Sequence, residues 1–138
     1  MVDKTLYNAD SIESLSPLEF TRLRPGVYAG NTTYSTQLLT EIVSNAVDEY
    51  LNGHCTECKI QVNNKSGIIC ISDNGRGVPF GKAEDGSETL VNVYTKLHTG
   101  AKFDSTGKTG YNTSGGMNGV GAKATNALSE FFQVSSFR

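Results

Sequence analysis

The sequence predicts a single α/β domain, because different segments carry the periodicities of helices and of strands. Apolar residues recur at helical spacing between Leu39 and Tyr50, whereas residues 58–63 and 68–72 alternate like two strands joined by a polar turn. The chain has 138 residues, of which 37% are hydrophobic, and this is enough for one core but hardly for two.

The N-terminal part is predicted to hold a short helix followed by a long one. Residues 16–19 read Ser-Pro-Leu-Glu, a capping box with proline at the first helical position, and predict a helix that ends near Leu23. Residues 27–29 are expected to be extended. Residues 31–33 can then cap the long helix, and Gly53 can close it.

The C-terminal part is predicted to contain two further helices, a loop and a strand. Residues 88–97 have four apolar side chains on one helical side, those of Leu90, Val93, Tyr94 and Leu97. Residues 99–118 show no regular pattern, and an irregular stretch of that length is typical of an active-site lid. A helix is expected from Val120 to about Leu128, and a closing strand over residues 131–137.

Composition and charge exclude several classes of protein. Twelve basic and fourteen acidic residues give a net charge of -2, which argues against bulk electrostatic binding of DNA by this chain. No secretory or membrane segment is visible, so no membrane partner is expected. Cys55 and Cys58 form a single C-x-x-C motif and Cys70 stands alone, which favours reduced, buried thiols in a cytoplasmic protein over a structural zinc site.

The long helix carries a polar stripe formed by Glu41, Asn45 and Asp48. At about 100° per residue these three side chains share one side of the helix, opposite the apolar side. Two carboxylates and a carboxamide in this arrangement suit a general base beside a Mg²⁺ site. A solvated helix surface explains the same pattern, so the stripe alone leaves both interpretations open.

Two glycine-containing segments point to a ligand with a flat ring and phosphates. Residues 73–79 read Asp-Asn-Gly-Arg-Gly-Val-Pro, where a carboxylate precedes a turn that lets the backbone approach a ligand closely; an ordinary turn is the alternative. Residues 115–123 are glycine-rich and lead into a helix, and backbone amides at a helix N-terminus, with Lys123 nearby, suit polyphosphate. The glycine-rich segment fits neither a P-loop nor a Rossmann fingerprint.

The order and spacing of these motifs resemble the GHKL ATPases, the superfamily of gyrase B, Hsp90, MutL and histidine kinases. Glu41-x-x-x-Asn45 resembles the first motif of that superfamily, Asp73-x-Gly75-x-Gly77 the second, and residues 115–121 the third. Within the superfamily the chain is most similar to the ATPase domain of bacterial type II topoisomerases, the B subunit of gyrase or ParE. Further resembling segments are residues 24–30, 45–49, 53–55, 97–103 and 126–129.

The resemblance implies a fold and a domain organisation. It implies a two-layer α/β sandwich, the Bergerat fold, with a mixed β-sheet backed by helices and ATP held between the layers. Residues 1–12 would form an N-terminal dimerisation arm and residues 13–138 the ATPase domain, with a lid at about 99–118. The family's domain continues beyond Arg138, so we expect this chain to bind nucleotide and to hydrolyse it weakly.

The resemblance also implies roles for individual residues. Glu41 would be the general base that activates water, and Asn45 the side-chain ligand of Mg²⁺. Asp73 would bind the adenine amine, and Glu49 would pair with Arg76. The remaining nucleotide contacts implied by the resemblance come from the base pocket, the phosphate loop, the arm of the second copy and the pocket mouth; they are Val43, Gly77, Val78, Pro79, Lys102, Gly116, Met117, Asn118, Gly119, Val120, Gly121, Tyr7 and Arg138.

The implied function is ATP binding and hydrolysis that gates DNA strand passage. ATP would bring two copies together through the N-terminal arms, and the full-length enzyme would also contain an A-type subunit and DNA; competitive inhibitors would bind at the ATP site. A chaperone or histidine kinase of the same superfamily is one alternative. A nucleotide-binding or inhibitor-binding module without appreciable ATPase activity is the other, and an ATPase assay separates it from an enzyme.

Overall fold

A computed structural model of the chain describes residues 15–30, 36–96 and 120–138. The predicted arm, the predicted helix cap at residues 31–33 and the predicted lid lie outside these ranges. Within them the elements, in chain order, are α1 (Pro17–Leu23), α2 (Gly26–Ala29), α3 (Thr36–Leu51), β1 (Cys58–Asn63), β2 (Ile68–Asp73), α4 (Thr89–Thr95) and α5 (Gly121–Leu128).

The capping box at the start of α1 is confirmed, whereas the extended segment predicted after it is wrong. Glu19 donates its backbone N–H to Ser16 Oγ (3.3 Å), and Ser16 donates its own to Glu19 Oε2 (2.8 Å). Residues 26–29 form the short helix α2 because Pro25 already has a helical conformation (φ -61°, ψ -32°). The carbonyl oxygens of Arg24 and Pro25 then accept the first hydrogen bonds of the turn, both 3.1 Å long.

The predicted end of α3 at Gly53 is confirmed. Gly53 has a φ of 77°, and its N–H donates to the Tyr50 carbonyl oxygen (2.9 Å) while His54 N–H donates to that of Glu49 (2.8 Å). This pair of bonds is a Schellman motif, which needs a left-handed residue at its centre. A glycine adopts that conformation without steric cost.

The predicted division of α3 into an apolar and a polar side is only partly correct. Ala46 is buried, but Val47 and Tyr50 are 46% and 63% exposed. Both border a cleft of about 150 Å³ that is also lined by residues 55–58. Asp48 is only 1% exposed. The polar stripe is therefore not one continuous solvated surface.

Strands β1 and β2 are confirmed and form an antiparallel hairpin. Ile60 lies opposite Ile71 and Val62 opposite Ile69, so one face of the hairpin is apolar. The ladder ends at the pair formed by Cys58 and Asp73, one residue beyond the predicted end of β2. The resemblance implied a mixed sheet. In the described part of the chain, the sheet consists of these two antiparallel strands.

The closing strand predicted over residues 131–137 is wrong. Residues 131–138 are described, and they form no strand. This segment approaches residues 77–78 without a β-ladder: Val78 donates its N–H to Ser136 Oγ (2.8 Å), and the Phe137 carbonyl oxygen lies against Gly77. The alternating apolar pattern therefore did not produce backbone pairing.

Helix α5 is the centre of the helical layer, since it contacts all four other helices. Thr125 Oγ1 donates to the Leu38 carbonyl oxygen of α3 (3.2 Å), and Asn126 Nδ2 to that of Tyr94 in α4 (3.0 Å). Arg22 Nε donates to the carbonyl oxygen of Ala127 (2.7 Å), near the C-terminal end of α5. The predicted α5 is confirmed, and these bonds connect its C-terminal half to α1, α3 and α4.

Helix α4 is shorter than predicted. It begins after the N-cap residue Glu88 and ends at Thr95, because Lys96 is extended (ψ 122°); Leu97 lies outside the described residues. The buried Asn92 is 4% exposed and donates through Nδ2 to Ser87 Oγ (2.6 Å), which fastens α4 to the loop before it.

The cysteines are all free thiols, but only Cys55 is buried, so the expectation of buried thiols is wrong for Cys58 and Cys70. Partial desolvation of the exposed Cys58 thiol, and then the charge of Asp73, raises its pKa. No helix in the described ranges has the length and apolar character needed to cross a membrane.

Candidate functional site

The first part of the candidate site lies on α3, where Glu41 and Asn45 are one helical turn apart. Glu41 is half-buried and Asn45 exposed. Gln37, one turn earlier, donates through Nε2 to Glu41 Oε1 (2.9 Å), and Asn45 Nδ2 donates to the Glu41 carbonyl oxygen (3.1 Å). The carboxylate therefore has a neutral amide partner that restricts its orientation, which is what a positioned base requires.

The same carboxylate lies against the start of α5. A Cβ atom built on Gly121, the first residue of α5, would overlap the Glu41 carboxylate and lie 2.9 Å from Glu41 Cβ. A side chain at position 121 would thus have to displace α3. The N-terminus of a helix carries partial positive charge, so it favours an anion at this point. Two segments 80 positions apart in sequence, both predicted to serve the site, are in contact.

The second part of the candidate site follows β2, where Asp73 begins a tight turn. Asp73 is exposed, and its Oδ1 accepts a hydrogen bond from Gly75 N–H (2.8 Å). Gly75 packs between the side chains of Asp73 and Glu49. A Cβ on it would lie 2.8 Å from Asp73 Oδ1 and 3.0 Å from Glu49 Cγ, so a larger residue would have to displace one of these side chains. Asp73 keeps its second carboxylate oxygen for a donor such as an exocyclic amine.

Glu49 and Arg76 form the predicted ion pair. Arg76 donates from Nε to Glu49 Oε2 (3.0 Å) and from Nη2 to Oε1 (2.9 Å), which is the bidentate geometry of a strong pair. The backbone N–H of Arg76 also donates to Glu49 Oε2 (3.2 Å). This pair connects α3 to the turn that begins at Asp73.

The end of the same turn is held by the C-terminal segment. Gly77 has a φ of 69°, and a Cβ there would lie 2.5 Å from the carbonyl oxygen of Phe137 and 2.9 Å from Ser136 Oγ. Val78 donates its N–H to that Ser136 hydroxyl (2.8 Å). Pro79, which is predicted to line the base pocket together with Val78, is exposed.

The structure places the other predicted residues as follows. Val43 and Val120 are half-buried, Val120 being the residue before α5, and Arg138 is exposed at the end of the described chain. Lys123, expected near the anion site, is only 3% exposed, and burial lowers the pKa of its ammonium group. Predicted site residues outside the described ranges are Tyr7, Lys102, Gly116, Met117, Asn118 and Gly119.

Metal ligands from the protein alone are few in this part of the chain. No three His, Cys, Asp or Glu side chains within the described ranges are grouped so that they could hold a metal ion. A Mg²⁺ ion bound by one side-chain oxygen together with substrate phosphates needs no such group.

Comparison with known proteins decides the family. Residues 30–136 match the model of the histidine kinase-, DNA gyrase B- and HSP90-like ATPases. The chain belongs to this ATPase family. The matched range contains Glu41, Asp73 and Gly121, the three residues around which the candidate site is built.

Individual members of the family are similar over nearly the whole chain. The B subunit of DNA topoisomerase 4 from Staphylococcus aureus strain MW2 is 48% identical over 134 residues, or 96% of this chain, and the same protein from strain N315 gives the same values. The chain spans 20% of the length of these relatives. The 43K ATPase domain of Thermus thermophilus gyrase B, crystallised with an aminocoumarin, matches with a TM-score of 0.64 at 38% identity, covering 84% of this chain and 27% of that one.

Sequence reasoning missed three residues that the structure connects to the candidate site. Gln37 precedes Glu41 by four positions, so helical spacing could have identified it as a partner. Asn74 and Ser136 bind backbone groups far away in sequence, and no local pattern indicates such contacts.

Proposed function

We propose that this chain is the ATP-binding part of the ATPase domain of a bacterial type II topoisomerase, in the B subunit of either topoisomerase IV or gyrase. The observation that carries the proposal is the contact between the Glu41 carboxylate and Gly121 at the start of α5. It brings a candidate base to a helix N-terminus suited to phosphate, while the turn at Asp73 offers an acceptor for the adenine amine.

In this proposal Asp73 accepts a hydrogen bond from the adenine amine, with Val43, Val78 and Pro79 beside the ring. The backbone amide of Gly121 binds phosphate, and Glu41 removes a proton from the attacking water while Gln37 holds its carboxylate. Further phosphate contacts come from Lys102 and from Gly116, Met117, Asn118, Gly119 and Val120. Glu49, Arg76 and Gly77 hold the turn, and Arg138 lies at the pocket mouth.

Mg²⁺ would be held by the side-chain oxygen of Asn45 together with the phosphates. This donor set fits the ion, because Mg²⁺ in nucleotide sites keeps several waters and few protein ligands. When bound, the ion neutralises phosphate charge. Glu41, one turn from Asn45, remains the residue of this chain that moves a proton.

The larger assembly is part of the proposal. Residues 1–12 would form the dimerisation arm, whose Tyr7 reaches the nucleotide of the second copy, and residues 13–138 would belong to the ATPase domain, with a lid at about 99–118. ATP-dependent dimerisation would gate DNA strand passage in a cytoplasmic enzyme that also contains an A-type subunit. Competitive inhibitors, including aminocoumarins, would bind at the ATP site; the Thermus thermophilus domain was crystallised in complex with an aminocoumarin.

Calorimetric titration with a non-hydrolysable ATP analogue and Mg²⁺ tests the site. Asp73→Asn should weaken binding by about tenfold or more, since it replaces a charged acceptor, whereas Glu41→Ala should retain affinity. Unchanged affinity in both variants would show that the pocket is wrongly assigned. Steady-state ATPase measurements on the full-length protein then distinguish an enzyme, which Glu41→Ala inactivates, from a binding module.

A further inference from the structure

Asn74 lies between the proposed acceptor for adenine and the glycine turn, at the point where the β-hairpin ends. The ladder of β1 and β2 ends at the pair formed by Cys58 and Asp73, so strand pairing does not position the turn that follows Asp73. Asn74 continues the connection, because its backbone N–H donates to the Glu57 carbonyl oxygen (3.2 Å).

The Asn74 side chain makes three further hydrogen bonds to the same segment. Its Oδ1 accepts from the backbone N–H groups of Thr56 (2.9 Å) and Glu57 (3.0 Å), and its Nδ2 donates to Thr56 Oγ1 (2.8 Å). The carboxamide thus acts like an additional peptide group, which joins the turn to Thr56 and Glu57, 18 and 17 positions earlier in the sequence. Asp73, its neighbour, is anchored within the turn by Gly75 N–H.

We infer that Asn74 is a positioning residue for adenine recognition, which sets the orientation of the Asp73 carboxylate by fastening the turn to Thr56 and Glu57. The inference rests on the proposed function, since it assigns Asp73 to the adenine amine. The side chain of Asn74 is directed at residues 56–57, so it acts on the ligand through Asp73. Adenine binding therefore depends on Asn74, whereas phosphate binding at the α5 N-terminus does not.

The experiment compares the affinities of a non-hydrolysable ATP analogue and of inorganic tripolyphosphate for this chain, by calorimetry with Mg²⁺. Asn74→Ala should weaken binding of the ATP analogue by about tenfold, the equivalent of one or two hydrogen bonds, and leave tripolyphosphate unchanged. Asn74→Asp keeps the acceptor for both amides and can accept from the Thr56 hydroxyl, so it should restore affinity to within about threefold.

Asn63 provides a matched control at the other end of the hairpin. Its Oδ1 also accepts two backbone amides, those of Lys65 (3.0 Å) and Ser66 (3.2 Å), but it is remote from the turn. Asn63→Ala should therefore leave the affinity for the ATP analogue unchanged. In an Asp73→Ala background, Asn74→Ala should cause no further loss, because the two residues act as a unit.

The outcomes separate this inference from the proposed function. If the unchanged chain binds neither ligand, the proposed function fails. If it binds ATP but Asn74→Ala behaves like Asn63→Ala, or weakens both ligands equally, Asn74 is not a positioning residue for adenine. Should Asn74→Ala fail to fold, Thr56→Val removes one hydroxyl partner, and a loss of about threefold confined to the ATP analogue is expected; no loss would overturn the inference.

Discussion

Among the ion pairs of the described residues, the bidentate pair of Glu49 and Arg76 should contribute most to stability. It joins α3 to the turn at Asp73 with two side-chain hydrogen bonds of 2.9 and 3.0 Å. The Glu49 side chain is 12% exposed and that of Arg76 29% exposed. Arg76→Ala leaves a largely buried carboxylate without its main partner.

The magnitude follows from this burial. Breaking a fully buried pair costs about 3–5 kcal/mol, and partial exposure of Arg76 reduces the cost here to about 2–3 kcal/mol. Each kcal/mol corresponds to about 3–4 °C in a domain of this size, so Tm should fall by about 6–12 °C. Arg76→Lys keeps the charge but loses the bidentate hydrogen bonding of the guanidinium group, and it should cost about 1 kcal/mol.

Urea and thermal unfolding followed by circular dichroism measure these changes. The matched control is Lys59→Ala, which removes the partner of Glu57 from a pair whose side chains are 68% and 52% exposed. That change should cost less than about 0.5 kcal/mol. A loss of the same small size for Arg76→Ala would refute the reasoning, as would a near-zero coupling energy in a double-mutant cycle with Glu49→Gln.

Three further predictions follow from the same contacts. Gly121→Ala should destabilise the chain by about 1–3 kcal/mol in urea unfolding. The control Gly26→Ala is also at the start of a helix, but an added Cβ would meet nothing within 4 Å, so this change should be neutral or stabilising. Equal effects of the two changes would contradict the close packing of α3 on α5. Gln37→Leu should lower ATPase turnover about tenfold in the full-length protein and leave KM unchanged, and a change in KM alone would argue against orientation of the general base. The hydrogen bond from Lys96, followed by those from Ser87, lowers the pKa of Asp85, so its contribution to stability is present above its ordinary pKa of 3.8 and is lost only at more acidic pH. In an NMR titration Lys96→Ala should raise that pKa towards 3.8, and an unaltered pKa would exclude the pair.

Local contacts were predictable from sequence, and contacts between distant segments mostly were not. The capping box at Ser16 and the Schellman end at Gly53 each depend on residues within a few positions, so their signals are complete in the sequence. The helical spacing of Glu41 and Asn45 is equally local. The pair of Glu49 and Arg76 came from the resemblance to a family.

The failures share a physical cause. Residues 131–137 alternate like a strand, but the alternation does not show which backbone they would pair with. In the structure they contact residues 77–78 through the Ser136 hydroxyl and the Phe137 carbonyl oxygen. The burial of Asp48 depends on how α3 packs, which its own periodicity does not fix. Asn74 looks like an ordinary turn residue, and its partners lie 17 and 18 positions away.

The most direct test of the central claim is a titration of the ¹⁵N-labelled chain with a non-hydrolysable ATP analogue and Mg²⁺, followed by amide NMR. One nucleotide bound between the turn and α5 should shift the amides of Gly75, Gly77 and Gly121 together, with a single dissociation constant. Shifts at only one of these two places, or at neither, would contradict the claim that Glu41, Asp73 and the start of α5 form one ATP site.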